Sequence, residues 1–151
     1  MPQVRHEFRI DAPVDRVWAV AIDASRIPEW QTNMVEVRDV TGRLDQVGAR
    51  YTAVNRLAGR TLEGEWEVAK VEPNRLLELT GKAPGGGRAT NRVRFIPTDG
   101  ATGMEVELDY ELPGGFLGQF ANRLIVERSL QRDVRHSSEN FKALCEEAET
   151  A

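Results

Sequence analysis

The chain has 151 residues, of which 40% are hydrophobic and 29% charged, and its formal net charge is -4. This length predicts one domain, residues 1–151, which can bury about two-thirds of the surface that its unfolded chain exposes. The acidic balance argues against a nucleic-acid partner, which needs a basic patch. No window of eighteen uncharged apolar residues predicts a membrane span.

We expect a cytoplasmic protein. The N-terminal segment MPQVRHEFRIDAP has no long apolar stretch, so it does not read as a signal peptide. The single cysteine, Cys145, excludes an intrachain disulfide and fits a reducing compartment. No partner base for a nucleophile is evident near Cys145, which favours a small buried residue on the last helical turns.

The first predicted element is a strand over residues 4–10, where apolar and charged residues alternate with a period of two. Pro13 ends this strand and suits the start of a short amphipathic helix over 14–22. The segment that follows, up to Trp30, predicts a turn and a second short helix with Ser25 as its cap.

From Met34 onward the period of two returns and predicts six more strands, separated by turns rich in glycine and proline. Turns this short require antiparallel neighbours. One side of each strand is apolar and the other is charged, so the sheet should have a single covered face. Outward glutamates are expected to be solvated partners of Arg92 and Arg94, not catalytic acids. The expected strands are 34–41, 48–57, 61–71, 75–82, 89–96 and 101–112.

Residues 116–149 predict one long helix that covers the sheet. Apolar residues recur there at helical spacing and share a face. At ~1.5 Å per residue the helix would be roughly 50 Å long. Leu124 is expected on the buried face, so that Leu124→Asp should unfold the domain. The apolar stripe consists of Phe116, Phe120, Leu124, Leu130, Val134, Phe141, Leu144 and Cys145.

The predicted fold class is therefore α+β. A strongly twisted antiparallel sheet curls as it grows, so six or seven strands should curve around the C-terminal helix. Two short helices follow the first strand.

Several short motifs follow one another along nearly the whole chain: Ile10-Asp11-Ala12-Pro13, Val17-Trp18, Trp30, Val47-Gly48-Ala49-Arg50, Trp66-Glu67-Val68 and Val71-Glu72-Pro73-Asn74-Arg75-Leu76. In this order they resemble the START-like, or Bet v 1-like, superfamily (SRPBCC). Within it they are most similar to the bacterial polyketide cyclase/dehydrase and lipid-transport group. The resemblance implies a helix-grip fold with a cavity between the long helix and the curved sheet. Members of the superfamily include ligand carriers, aromatase/cyclases, hydrolases and chaperone regulators, so the fold does not fix the function.

The inward-facing side chains form the candidate ligand-binding site. They combine apolar walls with a few polar groups, which is typical of small-molecule pockets. Small residues such as Ala53, Gly64 and Ala89 leave room for a guest. We expect Phe8, Trp18 and Phe95 to fill the core instead. The expected ligand-binding residues are His6, Trp30, Tyr51, Asn55, Trp66, Asn91, Tyr110, Phe116, Phe120 and Leu124.

The sequence predicts no cofactor and no metal site. His6 and His136 do not form a metal-ligand spacing, and no HExxH, CxxC or GxSxG motif occurs. The glycine run 85–87 lacks the lysine and the helix of a phosphate-binding loop, and is interpreted as a flexible rim.

Three functions remain open. The first is binding of a small hydrophobic or aromatic molecule, such as a polyketide-like, lipid or isoprenoid compound, for which burial supplies about 25 cal/mol per Å² of apolar area. The second is a cyclase or dehydratase that uses His6 and Tyr51 for proton transfer in the same cavity. The third, a protein-interaction module, ranks last because no large exposed apolar patch is predicted. Whether the protein forms a homodimer is also open.

Overall fold

The computed structural model describes residues 3–57, 59–83, 86–111 and 120–150 of the chain. Within these residues the order of elements confirms the predicted α+β architecture; Leu112 and residues 116–119, expected to end the last strand and to begin the long helix, lie outside them. The elements are β1 (Gln3–Ile10), α1 (Val14–Ala21), a 3-10 turn (Ala24–Arg26), α2 (Ile27–Trp30), β2 (Met34–Arg38), β3 (Arg50–Leu57), β4 (Arg60–Glu72), β5 (Leu76–Ala83), β6 (Gly87–Thr98), β7 (Ala101–Glu111) and α3 (Phe120–Thr150).

The described strands form one antiparallel sheet in the order β1-β7-β6-β5-β4-β3-β2. Each hairpin from β2 to β7 joins neighbours, whereas β1 pairs with β7 at the far side. The sheet curves into a half-barrel, and α3 lies across its concave face, which is the helix-grip arrangement that the resemblance implies.

The outer face of the sheet carries the charges, as the alternation predicts. Arg92 in β6 donates to Glu78 in β5 and, at 3.1 Å, to Glu107 in β7, so one guanidinium bridges three strands. Arg38 in β2 reaches across β3 and pairs with Glu63 in β4. Opposite charges on adjacent strands stabilise an exposed sheet face modestly, at roughly 0.2–1 kcal/mol per pair. These carboxylates therefore have a structural role.

The β6–β7 hairpin is tighter than the sequence indicates. The segment 97–100 is predicted to form the turn, but the strands continue through it until Thr98 pairs with Ala101. The turn is formed by Asp99 and Gly100 alone, both with positive φ (39° and 78°), the geometry that matches the twist of paired strands. Pro97 is tolerated in β6 because β5 begins at Leu76, opposite Arg94, and does not extend alongside Pro97, so no ladder bond to β5 is lost.

β2 is the strand at the edge opposite β1. It has only five residues, and its register with β3 shifts between Met34 and Glu36. It ends at Arg38, three residues before the predicted Thr41, because Asp39 takes a φ of 56° that leaves extended backbone. The charged side chains of Glu36 and Arg38 are within 3.5 Å of each other.

The predicted cap of the second short helix is wrong, because the N-cap position of α2 is Arg26, which makes no side-chain capping bond. Asp23, not Ser25, caps the 3-10 turn: its carboxylate accepts from the backbone N–H of Ser25 at 3.1 Å and from the Ser25 hydroxyl at 2.5 Å. Both residue types cap helices well. The choice depends on where the turn begins, which the sequence alone does not fix.

The core lies between the concave face and the helices. Ile10, Val17 and Val68 are almost fully buried. The Trp18 and Phe95 rings pack edge-on, with their centroids 5.0 Å apart. This confirms that Trp18 and Phe95 belong to the core.

The predicted apolar stripe of α3 is correct from Leu130 onward and wrong at Leu124, which is 51% exposed. Leu124 and Leu130 are six residues apart, about 240° around a helix, so they cannot share a face. Val126 takes the buried position instead. The buried or half-buried residues of the face are Val126, Ser129, Leu130, Asp133, Val134, Ser137, Ser138, Phe141, Leu144 and Cys145.

Side chains of α3 also bond to backbone groups at two places along the helix. Glu146 accepts from the N–H of Asp11 at 2.8 Å, and Lys142 donates to the carbonyl of Arg9 at 3.0 Å. One to two turns earlier, Ser137 accepts from the N–H of Thr32 at 3.1 Å. These bonds anchor α3 to the end of β1 and to the segment after α2.

The buried face of α3 can be tested with two matched truncations. Phe141 is 5% exposed and packs edge-on against Trp30 at 5.1 Å. Phe141→Ala should cost about 3–5 kcal/mol of unfolding free energy through lost burial and a cavity. Leu124→Ala should lower the unfolding free energy by roughly 0.5 kcal/mol or less, since about half of the Leu124 side chain is exposed to solvent. Urea unfolding followed by circular dichroism measures both. A larger loss at Leu124 than at Phe141 would show that α3 is rotated relative to this description.

Candidate functional site

A cavity of about 260 Å³ lies between the concave face of the sheet and α3. This is near the lower end of the volumes that enclose small molecules, about 300 Å³ upward. The walls are largely apolar, and ring systems contribute much of them. The aromatic lining residues are Phe8, Trp30, Tyr51, Trp66, Phe95, Tyr110 and Phe141. Phe8 and Phe95, predicted to be core alone, are therefore also part of the wall.

The sheet supplies much of this wall through one row of side chains that crosses five strands. Tyr51 pairs with Trp66, Trp66 with Gly81, Gly81 with Ala89, and Ala89 with Tyr110. Directly paired residues on one face have Cβ atoms about 4.5–5.5 Å apart, so the row is continuous. It places large rings at both ends and two small residues in the middle.

The structure brings together six of the ten predicted site residues. Trp30, Tyr51, Asn55, Trp66, Asn91 and Tyr110 all line the cavity.

Of the other four predicted site residues, two lie away from the cavity, and the side chains of two are not among those that the structure describes. His6 is half-buried and stacks on Phe8, with ring centroids 5.5 Å apart, beside a second depression between β1 and α3. Leu124 is half-exposed on α3. Phe116 lies outside the described residues, and the described part of Phe120 is its backbone at the start of α3.

The polyketide cyclase / dehydrase and lipid transport family matches residues 1–146 of the sequence. The chain belongs to this family. This confirms the resemblance inferred from the motifs.

Solved structures of the same fold extend the comparison. The Zhui aromatase/cyclase from Streptomyces sp. R1128 is 18% identical with a TM-score of 0.80, over 96% of this chain and 93% of that one. TTHA0849 from Thermus thermophilus is 22% identical with a TM-score of 0.78, over 97% and 99%. A START superfamily protein from Mycobacterium smegmatis is 14% identical with a TM-score of 0.62, over 90% and 97%. At these identities the likeness concerns the fold alone. No curated protein sequence matches the chain.

Three carboxamides form a polar patch in the wall of this family member's cavity. The Asn33 Oδ1 accepts from the Gln31 Nε2 at 3.2 Å and from the Asn55 Nδ2 at 3.1 Å. Gln31 and Asn33, which sequence reasoning missed, lie in the link between α2 and β2, where no periodicity marks which side chains face inward. Each carboxamide has more hydrogen-bonding capacity than these two bonds use. The patch can therefore orient a polar group of a ligand.

Two further polar atoms of lining residues have no partner among the described residues. They are the Nε1 of Trp30, a donor, and the Oδ1 of Asn91, an acceptor, and both are buried. A buried polar atom without a partner costs about 1–3 kcal/mol. Such atoms call for an explanation, and a bound molecule is one.

Tyr51 contributes a neutral hydroxyl. It is buried, and burial raises the pKa of its phenol well above the ordinary value, because the phenolate would lose its hydration. At neutral pH this group can donate or accept a hydrogen bond, but it stays protonated.

Asp133 is an acidic lining residue on α3 that sequence reasoning missed. It lies one turn before Ser137 on the buried face of α3 and lines the cavity. Burial raises the pKa of its carboxyl, while Arg132 and His136 lower it by smaller amounts. Ser129, Asp133 and Ser137 recur every four residues, and this polar line within an apolar stripe is the signal that identifies the position.

The described residues contain no group of three or more side chains suited to hold a metal ion. Along the same ranges, no helix has both the length and the apolar character needed to cross a bilayer.

The raised pKa of Asp133 predicts how stability depends on pH. A carboxyl whose pKa is higher in the folded state binds more protons when folded, so its contribution is complete below the unfolded pKa and is lost as pH rises through the folded pKa. Asp133→Asn should therefore be more stable than the parent at pH 7, and this advantage should vanish below about pH 4. Urea unfolding between pH 4 and pH 7 measures it. Glu139→Gln, on the exposed side of α3, controls for the loss of one charge. A destabilised Asp133→Asn at pH 7 would refute the assignment.

Cys145 is fully buried, as predicted, and burial raises the pKa of its thiol to about 12. Because the thiolate is the reactive form, the folded protein should not react with Ellman's reagent at pH 8. One thiol per chain should react after addition of denaturant, since the sequence has one cysteine. Rapid reaction in native buffer would reopen a nucleophilic role.

Proposed function

We propose that this protein binds a small hydrophobic or aromatic molecule, such as a polyketide-like, lipid or isoprenoid compound, in the cavity between the sheet and α3. The observation that carries the proposal is the composition of the lining: rings and aliphatic groups surround a few polar atoms, two of which are buried without partners among the described residues. Family membership supports it, because the family description combines polyketide chemistry with lipid transport.

The positions of the lining residues suggest which contacts each would make with a ligand. Trp66, Tyr110 and Phe141 provide apolar contact area, and each ring that a ligand covers contributes through burial. Trp30 provides a hydrogen-bond donor and Asn91 provides an acceptor. The carboxamide patch provides a third polar contact. A molecule with a flat or branched apolar body and two or three polar atoms satisfies all of these groups.

A second function, acid–base chemistry on the bound molecule, is favoured by Asp133. A carboxyl with a raised pKa at the wall of an apolar cavity can hold a proton closer to neutral pH than an exposed aspartate can. In that case the protein would be a cyclase or dehydratase, with Asp133 as the proton-transferring group rather than His6, which does not line the cavity.

Native mass spectrometry of protein purified from its own host, followed by organic extraction, tests the proposal directly. One apolar molecule per chain is expected. Detection of no adduct, together with failure to bind N-phenyl-1-naphthylamine in a fluorescence titration, would refute it.

Substitution of Trp66 tests whether this cavity is the binding site. Trp66→Ala should weaken N-phenyl-1-naphthylamine binding roughly 10–100-fold, since a ring contact of about 1.4–2.8 kcal/mol is removed. Val47→Ala, at an apolar residue that is 68% exposed and away from the cavity, is the control. Equal affinity of both variants and the parent would place the binding site elsewhere.

A further inference from the structure

The row of side chains across the sheet contains one unusually close approach. A Cβ atom placed on Gly81 would lie 2.9 Å from each of three ring atoms of Trp66: Cδ2, Cε2 and Cε3. Real Cβ atoms essentially never come so near, so a side chain at position 81 would displace the indole. Equal distances to three consecutive atoms place this Cβ over the face of the six-membered ring, not beside its edge. The indole therefore lies flat on β5 at Gly81.

Glycine is required at position 81 because the Trp66 ring leaves no room for a side chain, and not because of the backbone conformation. The glycines of the described chain that adopt positive φ are Gly48, Gly59, Gly86 and Gly100, and Gly81 is not among them. An alanine would satisfy the backbone at position 81, and glycine inside a strand is intrinsically unfavourable. What glycine permits is the close contact with Trp66.

Two other glycines inside strands, Gly64 and Gly103, do not make such a contact. A Cβ on Gly64, two residues before Trp66, would lie 3.8 Å from the indole Nε1, which is an ordinary distance. A Cβ on Gly103 in β7 would meet Ile96 at 3.6 Å, also ordinary. Of these three strand glycines, only Gly81 contacts the face of the indole ring.

One face of the Trp66 indole lies on Gly81, so its other face points away from the sheet. Trp66 is also one of the residues that line the cavity. Ala89, the next residue in the row, adds only a methyl group before Tyr110. The space above these positions is thus bounded by a flat aromatic surface on one side and a tyrosine ring on the other. Aromatic rings prefer offset-stacked or edge-on contact with such surfaces.

We propose that Gly81 is a specificity-determining residue of the cavity, because it seats Trp66 flat on the sheet and so selects ligands with a flat ring system. This inference rests on the proposed function. A side chain at position 81 lifts the indole into the space that the ring would occupy, whereas saturated molecules of similar size lack the flat face that the indole complements.

The test uses three probes and pairs of variants. N-phenyl-1-naphthylamine reports binding by fluorescence, and 2-naphthol and its saturated counterpart 2-decalol compete with it. The parent protein should bind 2-naphthol at least tenfold more tightly than 2-decalol. Gly81→Ala should weaken 2-naphthol binding at least tenfold, while Gly103→Ala, the same change at a glycine that does not line the cavity, should stay within twofold of the parent.

A double-mutant comparison isolates the contact between the two residues. In a Trp66→Ala background, Gly81→Ala should change 2-naphthol affinity less than twofold, since no indole remains to be displaced. Trp66→Phe should retain part of the preference for the flat ring, and Trp66→Leu should lose it; these two variants keep Gly81 and test the inference even if Gly81→Ala does not fold.

The outcomes separate this inference from the proposed function. If the parent binds none of the three probes, this inference fails, and the proposed function fails with it when native mass spectrometry also detects no adduct. If the parent binds them but shows no preference for 2-naphthol, or if Gly81→Ala and Trp66→Leu bind 2-naphthol like the parent, the proposed function stands and the role of Gly81 is refuted.

Discussion

The attachment of α3 to the sheet is the constraint on which the cavity depends. A helix held only by apolar packing would settle onto the concave face until its side chains filled it. Here Lys142 and Glu146 bond to the backbone at the end of β1, and Ser137 bonds to the segment after α2. The Lys142 hydrogen bond and the Asp11 N–H lower the pKa of Glu146, so the carboxylate stays charged and the attachment persists in mild acid. Fixed anchors of this kind can hold the helix at a distance from the middle of the sheet.

The interior combines two kinds of residue that folding alone would not favour together. The rings and aliphatic groups bury area, as any core does. The unpartnered atoms of Trp30 and Asn91, and the carboxyl of Asp133, cost stability where they are. Local conflicts with packing rules of this sort are expected at functional sites, where stability is exchanged for recognition.

The alternation of the strands made the sheet and five of the six cavity-lining site residues predictable, because a period of two assigns every side chain to one face and antiparallel turns keep the register. The sixth, Trp30, lies in α2, outside that pattern. Leu124 was misplaced because a stripe judged by apolar residues alone ignores the six-residue gap before Leu130. Gln31 and Asn33 lie in a link without periodicity, so the sequence does not indicate which way their side chains face. Asp133 was missed because the buried face of α3 was traced by apolar residues, and aspartate is charged. Gly81 could not be recognised from sequence, since its role depends on a ring contributed by the neighbouring strand.

The short strand β2 has a consequence for how molecules of this protein meet one another. A free sheet edge exposes unpaired N–H and C=O groups on which another chain can pair. At this edge the strand has five residues, a register shift at Met34 and Glu36, and charged side chains at Glu36 and Arg38. An incoming strand would find few aligned partners and would have to bury charge. The short, charged and irregular β2 thus opposes edge-to-edge aggregation at this side of the sheet.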